Sequence, residues 1–282
     1  MPPNLQKTQR DRARPRTLVP FLRWAGGKRW FVRDHAGLIP TRFRTYIEPF
    51  LGSGVVFFHL RPERALLTDA NSDLVTAFRG IRDQPTEVMR HLLLHEESHG
   101  TEHYRLTREA NPPLLAERAA RIIYLNRACF NGIYRVNRQG RFNVPMGDRK
   151  TIIYDTDDFQ VLSEALQGAA IGSSDFEIAI DRAASGDLVF ADPPYTVRHN
   201  NNGFIKYNET LFSWDDQERL AKTLARAVDR GAKVLATNAA HDSVRDLYAG
   251  HGFRLTEVSR FSAIAASGKN RRQYTEIVIS SP

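Results

Sequence analysis

Asp187-Leu188-Val189-Phe190-Ala191-Asp192-Pro193-Pro194-Tyr195 is the stretch on which the reading of this chain turns. Its apolar run reads as a buried strand. Two consecutive prolines end it: neither carries an N–H, so neither continues a sheet ladder, and the turn is rigid with carbonyls free to accept hydrogen bonds. Open α/β sheets bind ligands at the carboxyl ends of their strands. An acid, a free carbonyl and an aromatic ring therefore arrive together where a ligand is expected. A strand followed by ordinary proline turn chemistry is the plainer reading of the same residues.

That set of groups suits a planar amine such as the exocyclic N6 of adenine, whose lone pair is delocalised into the ring and is a poor nucleophile. The Asp192 carboxylate and the Pro193 carbonyl are two acceptors for its two hydrogens, with Pro194 stiffening the turn and Tyr195 placed to stack on the base.

The 282 residues allow one large domain or two modest ones, and 41% hydrophobic with 26% charged residues is a globular composition. A net charge of +8 and a pI near 9.8 fit a protein that meets a polyanion, although many basic proteins bind none. Cys129 is the only cysteine, which excludes an internal disulfide and a multi-cysteine zinc site and fits a reducing cytosol. No apolar stretch approaches the roughly 18 residues of a membrane span. Residues 1–16 carry Lys7, Arg10, Arg12, Arg14 and Arg16 against Asp11 and lack the apolar core of a secretory signal, so they read as a disordered basic tail.

Upstream of the decisive stretch, residues 45–50 read as a strand, 51–54 as a glycine turn, 55–60 as a short helix and 65–69 as a second strand, a βαβ unit. A helix follows over 71–82. From there to about residue 159 the chain is polar, helical and rich in His and Arg, with a helix over 114–128 that presents Leu115, Ala119, Ile122, Ile123 and Asn126 on one side. Strand patterns resume at 187–191, 233–238, 255–261 and 276–280. Ser213-Trp-Asp-Asp216 opens a helix that Gly231 stops. The pattern predicts an α/β core split by an inserted helical segment.

Glu48-Pro49-Phe50-Leu51-Gly52-Ser53-Gly54 follows the first strand, and glycine there lets backbone approach a ligand. A dinucleotide fingerprint would want a third glycine where Phe57 stands, which disfavours NAD. Asp69 ends the next strand, where an acid can accept hydrogen bonds from a ribose diol. A nucleoside cofactor without a pyrophosphate fits, and S-adenosylmethionine is the obvious one; plain turn glycines are the alternative. In Phe21-Leu-Arg-Trp24-Ala-Gly-Gly27-Lys28, Lys28 can pair with a cofactor carboxylate and Trp24 can cover an apolar or cationic part of it; a basic turn beside a core tryptophan is the bland reading.

Residues 127–145 interleave aromatics, amides and arginines around Gly132 and Gly140. They predict either a β-hairpin that enters a DNA groove, with arginine forks for guanine and aromatics for the gap left by an extruded base, or an exposed basic hairpin.

Phe-Leu-Arg-Trp-Ala-Gly-Gly-Lys, Glu-Pro-Phe-Leu-Gly-Ser-Gly, Thr68-Asp-Ala-Asn71, Cys-Phe-Asn-Gly-Ile-Tyr-Arg-Val-Asn, Gly-Arg-Phe-Asn-Val-Pro and Asp-Pro-Pro-Tyr stand here in the order found in the Dam-like (D12 class) DNA adenine-N6 methyltransferases. The resemblance spans roughly residues 20–280 and rests on six independent motifs in one register. Ser267-Gly-Lys-Asn-Arg271 also resembles the family's C-terminal loop. It implies a Rossmann-like S-adenosylmethionine-dependent core at 17–75 and 160–282 and a mainly helical target-recognition domain with a β-hairpin at 76–159. Trp24, Lys28, Glu48, Phe50, Gly52, Gly54, Asp69 and Asp192 would surround the cofactor, and Asp192 to Tyr195 would hold the adenine. Phe130 and Asn131 would sit where the family pushes into the duplex and contacts backbone, Ile133, Arg135 and Pro145 where it reads flanking bases, with Arg135 reading a guanine, and Asn137 would also bind DNA. Phosphate contacts around Arg127 are less secure, because that position varies in the family. The implied activity is site-specific methylation of double-stranded DNA by base flipping, at GATC or a related site, by a cytoplasmic, nucleoid-associated monomer of bacterial or phage type. A cognate restriction endonuclease is a further partner the resemblance allows.

Three other readings compete with this one. His95-Glu96-Glu97-Ser98-His99 fits the His-Glu-x-x-His zinc pattern, yet the segment is polar on most sides, Gly100 stops the helix and no third ligand follows, so no metal is expected. A non-enzymatic DNA-binding regulator would need damage at Asp192, Tyr195 or the Gly52 turn, and none is visible. RNA or a protein glutamine could replace DNA as acceptor, which the Arg135 segment disfavours. Among lesser features, 199–203 reads as a lid or a surface loop, Thr237-Asn238 as pocket lining or a helix cap, and Cys129 as buried.

Overall fold

The computed structural model describes residues 17–137, 142–196, 212–261 and 273–282. The basic tail, the tip of the expected hairpin at 138–141, the polar segment 199–203 and the 267–271 segment lie outside the described residues.

Seven strands form one sheet: β1 (Tyr46–Glu48), β2 (Ala65–Asp69), β3 (Ala169–Ser173), β4 (Leu188–Ala191), β5 (Lys233–Ala239), β6 (Arg254–Phe261) and β7 (Gln273–Ser280), in the order β3-β2-β1-β4-β5-β7-β6. Every pairing from β3 through to β5 is parallel, and β7 alone runs antiparallel to its neighbours β5 and β6. The order reverses between β1 and β4, and a crevice outside the carboxyl ends of these strands is where such a sheet receives a ligand. Glu48 ends β1 and Asp192 follows β4 directly. All residues of β1 and β4 are buried, as expected of central parallel strands covered on both faces.

Helices α1 (Arg29–His35) and α2 (Val55–Leu60) flank β1 in sequence, and α3 (Ser72–Asp83) follows β2. Asn71 caps α3, its side chain accepting from the N–H groups of Asp73 and Leu74. Next come α4 (Pro85–Glu97), α5 (Thr101–Glu109) and α6 (Leu115–Ala128), then α7 (Phe159–Leu166) and α8 (Phe176–Ile180) on either side of β3. The last two are α9 (Trp214–Asp229), opened by a reciprocal Ser213–Asp216 capping box as the sequence predicts, and α10 (Asp242–Gly250).

Strand β3 was not anticipated. Ala-Ala-Ile-Gly-Ser has weak strand propensity, but the segment pairs with β2 along its whole length, from Ala65 opposite Ala169 to Asp69 opposite Ser173. Arginines of α3 supply donors to its carbonyls: Arg79 to Ile171 O (2.8 Å) and Arg82 to Ala169 O (2.9 Å). Tertiary partners make this edge strand where local sequence does not.

The helical segment expected as an insertion is α4 to α6, and the expected 75/76 boundary falls inside α3. These helices share one hydrophobic cluster with the sheet, in which Phe31, Tyr46, Phe57 and Phe78 join Ile123 and Leu125. Contact between α3 and α6 is so close that a β-carbon on Gly80 would lie 2.3 Å from that of Ala119. At the end of α6, Arg127 is fully buried and spends its guanidinium on Phe21 O, Ile152 O and the Asp157 carboxylate while lying over the Tyr154 ring. After it, Phe130–Gly132 forms a 3-10 turn, and two isolated antiparallel bridges, Cys129 with Met146 and Val136 with Phe142, draw the two arms of 129–146 together.

No helix among the described residues is long and apolar enough to cross a membrane.

Candidate active site

The turn after β4 meets side chains from two neighbouring strands and from the segment before α1. Asp192 Oδ1 receives the Lys28 ammonium at 2.8 Å and the Thr237 hydroxyl at 2.7 Å. The Tyr195 hydroxyl accepts from Lys28 Nζ at 3.1 Å and donates to Glu276 Oε2 at 2.7 Å. Lys28 also donates to Gly26 O (3.1 Å), lies 3.6 Å from Glu276 Oε2 and sits 5.1 Å from the centre of the Tyr195 ring. Thr237 stands on β5 and Glu276 on β7, so the adjacent strands β4, β5 and β7 each deliver one part. Lys28 is 5% exposed and Glu276 1%, whereas the Asp192 side chain keeps 19% of its surface.

Burial pushes the Asp192 carboxyl up from its ordinary range, with Lys28 and Thr237 pulling the other way and Glu276 adding to the rise. The Tyr195 hydroxyl is held well above the usual tyrosine value by burial and then by the Glu276 and Asp192 charges. Both donors to Asp192 converge on Oδ1, and among the described residues Oδ2 takes none. Among the described residues that oxygen is open to a further donor.

On the β1 side, Glu48 is buried with Oε2 lacking a hydrogen-bond partner, and burial holds its carboxyl well above the ordinary range. The Gly52 N–H donates to Asp69 Oδ2 (3.1 Å) and the Asn71 N–H to Asp69 Oδ1 (2.9 Å), which fixes the carboxylate at the end of β2. Gly52 is left-handed (φ +49°), and a β-carbon there would meet the Trp24 indole at 3.1 Å. Gly54, also left-handed, sits against the Phe78 ring and opens α2. Phe50 stacks on Phe176 (5.4 Å between ring centres) and meets Phe212 edge-on. A buried acid with one oxygen lacking a partner, a glycine-containing turn and an anchored carboxylate at the switch point fit a nucleoside cofactor that carries an amine and a ribose. Lys28 is placed on Asp192 and Tyr195 and on the Gly26 carbonyl, and Trp24 stacks on Tyr134 at 5.3 Å.

The residues read as DNA-facing lie together on one loop. Phe130 is 56% exposed, Asn131 is exposed in a left-handed conformation (φ +56°), and Arg135 and Pro145 are exposed while Ile133 and Asn137 are half-buried. Arg135 Nε donates to Asn143 Oδ1 (3.1 Å), and the Pro145 carbonyl accepts the Phe130 N–H (2.9 Å). Arg127 is a strut inside the fold and no surface contact.

Sequence reasoning missed Glu276, which it took only as the start of a strand. The available signal was an acid next to the apolar run Ile277-Val278-Ile279. Of the Thr237-Asn238 pair, Thr237 belongs to the site, while Asn238 bonds Gln217 (3.0 Å) and the N–H of Ala239 (2.8 Å). Cys129 is buried, and burial pushes its thiol up to about 11.

The His-Glu-x-x-His residues are held apart by other partners. His95 Nδ1 faces His103 Nε2 at 2.9 Å, His99 bonds the Tyr124 hydroxyl (3.0 Å) and Arg149 O (2.8 Å), and Glu96 accepts the N–H groups of Ile152 and Ile153. Among the described residues no His, Cys, Asp or Glu cluster is arranged to hold a metal.

The strand order and an acceptor-lined turn at its switch point define an α/β fold of the kind that binds ligands outside the carboxyl ends of its strands. Residues 24–264 match the D12 class of N6 adenine-specific DNA methyltransferases, and the chain belongs to that family: it is an adenine-specific DNA methyltransferase. It is 34% identical to a type II methyltransferase, M1.LlaDCHI, of Lactococcus lactis subsp. cremoris, over 93% of this chain and 95% of that one. Identity to the type II methyltransferase M.MjaIII of Methanocaldococcus jannaschii is 31%, over 90% and 95%, and to the DNA adenine methylase of Escherichia coli K12 it is 30%, over 92% and 93%.

Proposed function

We propose that the enzyme transfers a methyl group from S-adenosylmethionine to N6 of an adenine flipped out of double-stranded DNA, at GATC or a related site. The observation that carries this reading is the arrangement of Asp192, whose Oδ1 is occupied by Lys28 and Thr237 while Oδ2 takes no donor among the described residues. Asp192 Oδ2 and the Pro193 carbonyl each accept one N6 hydrogen, Pro194 stiffens the turn, and Tyr195 stacks on the extruded base. Two fixed acceptors set the amine so that its lone pair faces the electrophile, and positioning of this kind supplies much of a rate enhancement.

When bound, S-adenosylmethionine supplies an electrophilic methyl on a sulfonium that already carries its leaving group. Trp24, Glu48, Phe50, Gly52, Gly54 and Asp69 hold it, with Lys28 and Asp192 at the boundary with the target base. Asp192 and the Pro193 carbonyl would hold N6 facing the methyl donor, and the one N6 proton released on transfer would leave along the hydrogen bond to Asp192. The carboxylate stabilises positive charge growing on nitrogen and need not take the proton before attack.

Residues 76–159 act in this reading as the target-recognition region. Phe130 and Asn131 fill and line the space left by the flipped base, and Ile133, Arg135, Asn137 and Pro145 contact the flanking DNA, with Arg135 suited to a guanine edge. The enzyme works as a monomer in a bacterial or phage-infected cytoplasm. Sequencing DNA for N6-methyladenine after expression in a host without adenine methylation tests activity and site together. Modification of one short sequence is the expected result; unmodified DNA, or methyl groups found on RNA or protein in its place, contradicts the proposal.

A further inference from the structure

The buried cluster at the end of β4 holds one ammonium, Lys28, and two carboxylates, Asp192 and Glu276. Lys28 gives its three N–H groups to Asp192, the Tyr195 hydroxyl and Gly26 O. Glu276 therefore reaches Lys28 through the Tyr195 hydroxyl, which accepts from the ammonium and donates to Oε2, and through a 3.6 Å charge contact. A carboxylate that is 1% exposed is costly to bury and would not be needed merely to anchor a tyrosine, since a neutral acceptor would do that. We propose that Glu276 is a positioning residue for methyl transfer: it fixes the Tyr195 hydroxyl and shares the Lys28 ammonium with Asp192, keeping Asp192 a strong acceptor for the target amine.

The inference rests on the role given above to Asp192. A carboxylate tightly paired with one ammonium accepts hydrogen bonds weakly, because its charge is already satisfied. A second carboxylate on the same ammonium draws part of that field away, and the negative charge it adds makes Asp192 more basic. The direction agrees with Glu276 raising the Asp192 carboxyl. Among the described residues, the other titratable groups facing Asp192 are Tyr195, whose hydroxyl is held in the protonated form, and Glu48 of β1, whose buried carboxyl is also pushed well up. Glu276 is thus the group whose charge can be removed while the hydrogen bond to Tyr195 is kept, by an amide of the same shape.

The test compares wild type with Glu276→Gln in single-turnover methylation of a duplex at saturating S-adenosylmethionine across pH. Titrations of DNA carrying 2-aminopurine at the target position and of cofactor binding run beside it. The expected result is a rate lowered about tenfold, with both affinities within about twofold of wild type. The acid limb of the rate profile moves to lower pH, because Asp192 loses a neighbouring negative charge. An unchanged rate, or a lowered rate with an unmoved acid limb, overturns the inference, since a structural role alone leaves that limb in place. Glu276→Asp keeps the charge but draws it back from Asp192: a lowered rate with a smaller downward shift of the limb than in Glu276→Gln supports the inference, and a lowered rate with an unmoved limb overturns it even if the Gln variant does not fold. Absence of methyl transfer by the wild-type enzyme would instead sink the reading of the site itself.

Discussion

Asn126 and Arg23 are joined by two reciprocal hydrogen bonds: the Arg23 N–H donates to Asn126 Oδ1 at 2.8 Å, and Asn126 Nδ2 donates to the Arg23 carbonyl at 2.8 Å. A fully buried amide on α6 thus mimics one rung of a sheet and fixes the backbone beside Trp24. Asn126→Leu leaves both backbone groups without partners and is expected to destabilise the fold by roughly 2–4 kcal/mol. Denaturant unfolding checks it, and a change below about half a kcal/mol contradicts it.

Arg127, next in sequence, makes a different kind of tie. Its charge is buried with Asp157, and removing one partner of a buried pair typically costs about 3–5 kcal/mol. Arg127→Met is expected to lower the unfolding midpoint strongly while leaving the salt dependence of DNA affinity in the folded protein at its wild-type slope. A shallower slope would restore the phosphate contact that burial denies it.

Gly52 separates cofactor binding from chemistry. Its left-handed backbone and the Trp24 ring 3.1 Å from an added β-carbon make Gly52→Ala a local distortion of the turn. S-adenosylmethionine affinity should fall about tenfold or more, with duplex affinity little changed. Calorimetry with each ligand measures both, and equal losses for the two ligands would contradict the assignment of this turn.

His95 gives stability a pH dependence. Burial, followed by the charges of His103 and His91, lowers its imidazole from 6.5 to about 4. The unfolded chain therefore binds the extra proton first on acidification. The stability that the neutral ring contributes is complete above pH 6.5 and is lost as pH falls from there to about 4. His95→Asn should show a smaller loss across that window than wild type. Taking the difference between the two proteins cancels the opposite contribution of the raised Glu48 carboxyl.

Legibility followed local signals. The helices at 55–60 and 115–128, the capped opening of α9 and the strands β2 and β5 are marked by caps, glycines and apolar runs, and they stand within a residue or two of expectation. Strand β3 was hidden because Ala and Gly carry little strand preference, and its existence depends on β2 and on arginines of α3. At the site, the turn Asp192 to Tyr195 was legible because prolines punctuate it. Glu276 was not, since its partners Tyr195 and Lys28 lie 81 and more residues away and only the sheet order brings them together. The Arg127 strut was hidden for the same reason: an arginine in a basic stretch looks solvated until Asp157 and two carbonyls close around it.

The most direct test concerns Asp192. Labelled methyl transfer to a duplex is measured for wild type and Asp192→Ala at saturating cofactor, with DNA affinity measured in parallel. Loss of the acceptor that orients the target nitrogen should lower the rate by at least about a hundredfold while duplex binding stays within a few-fold of wild type. Turnover of Asp192→Ala at the wild-type rate would contradict the account.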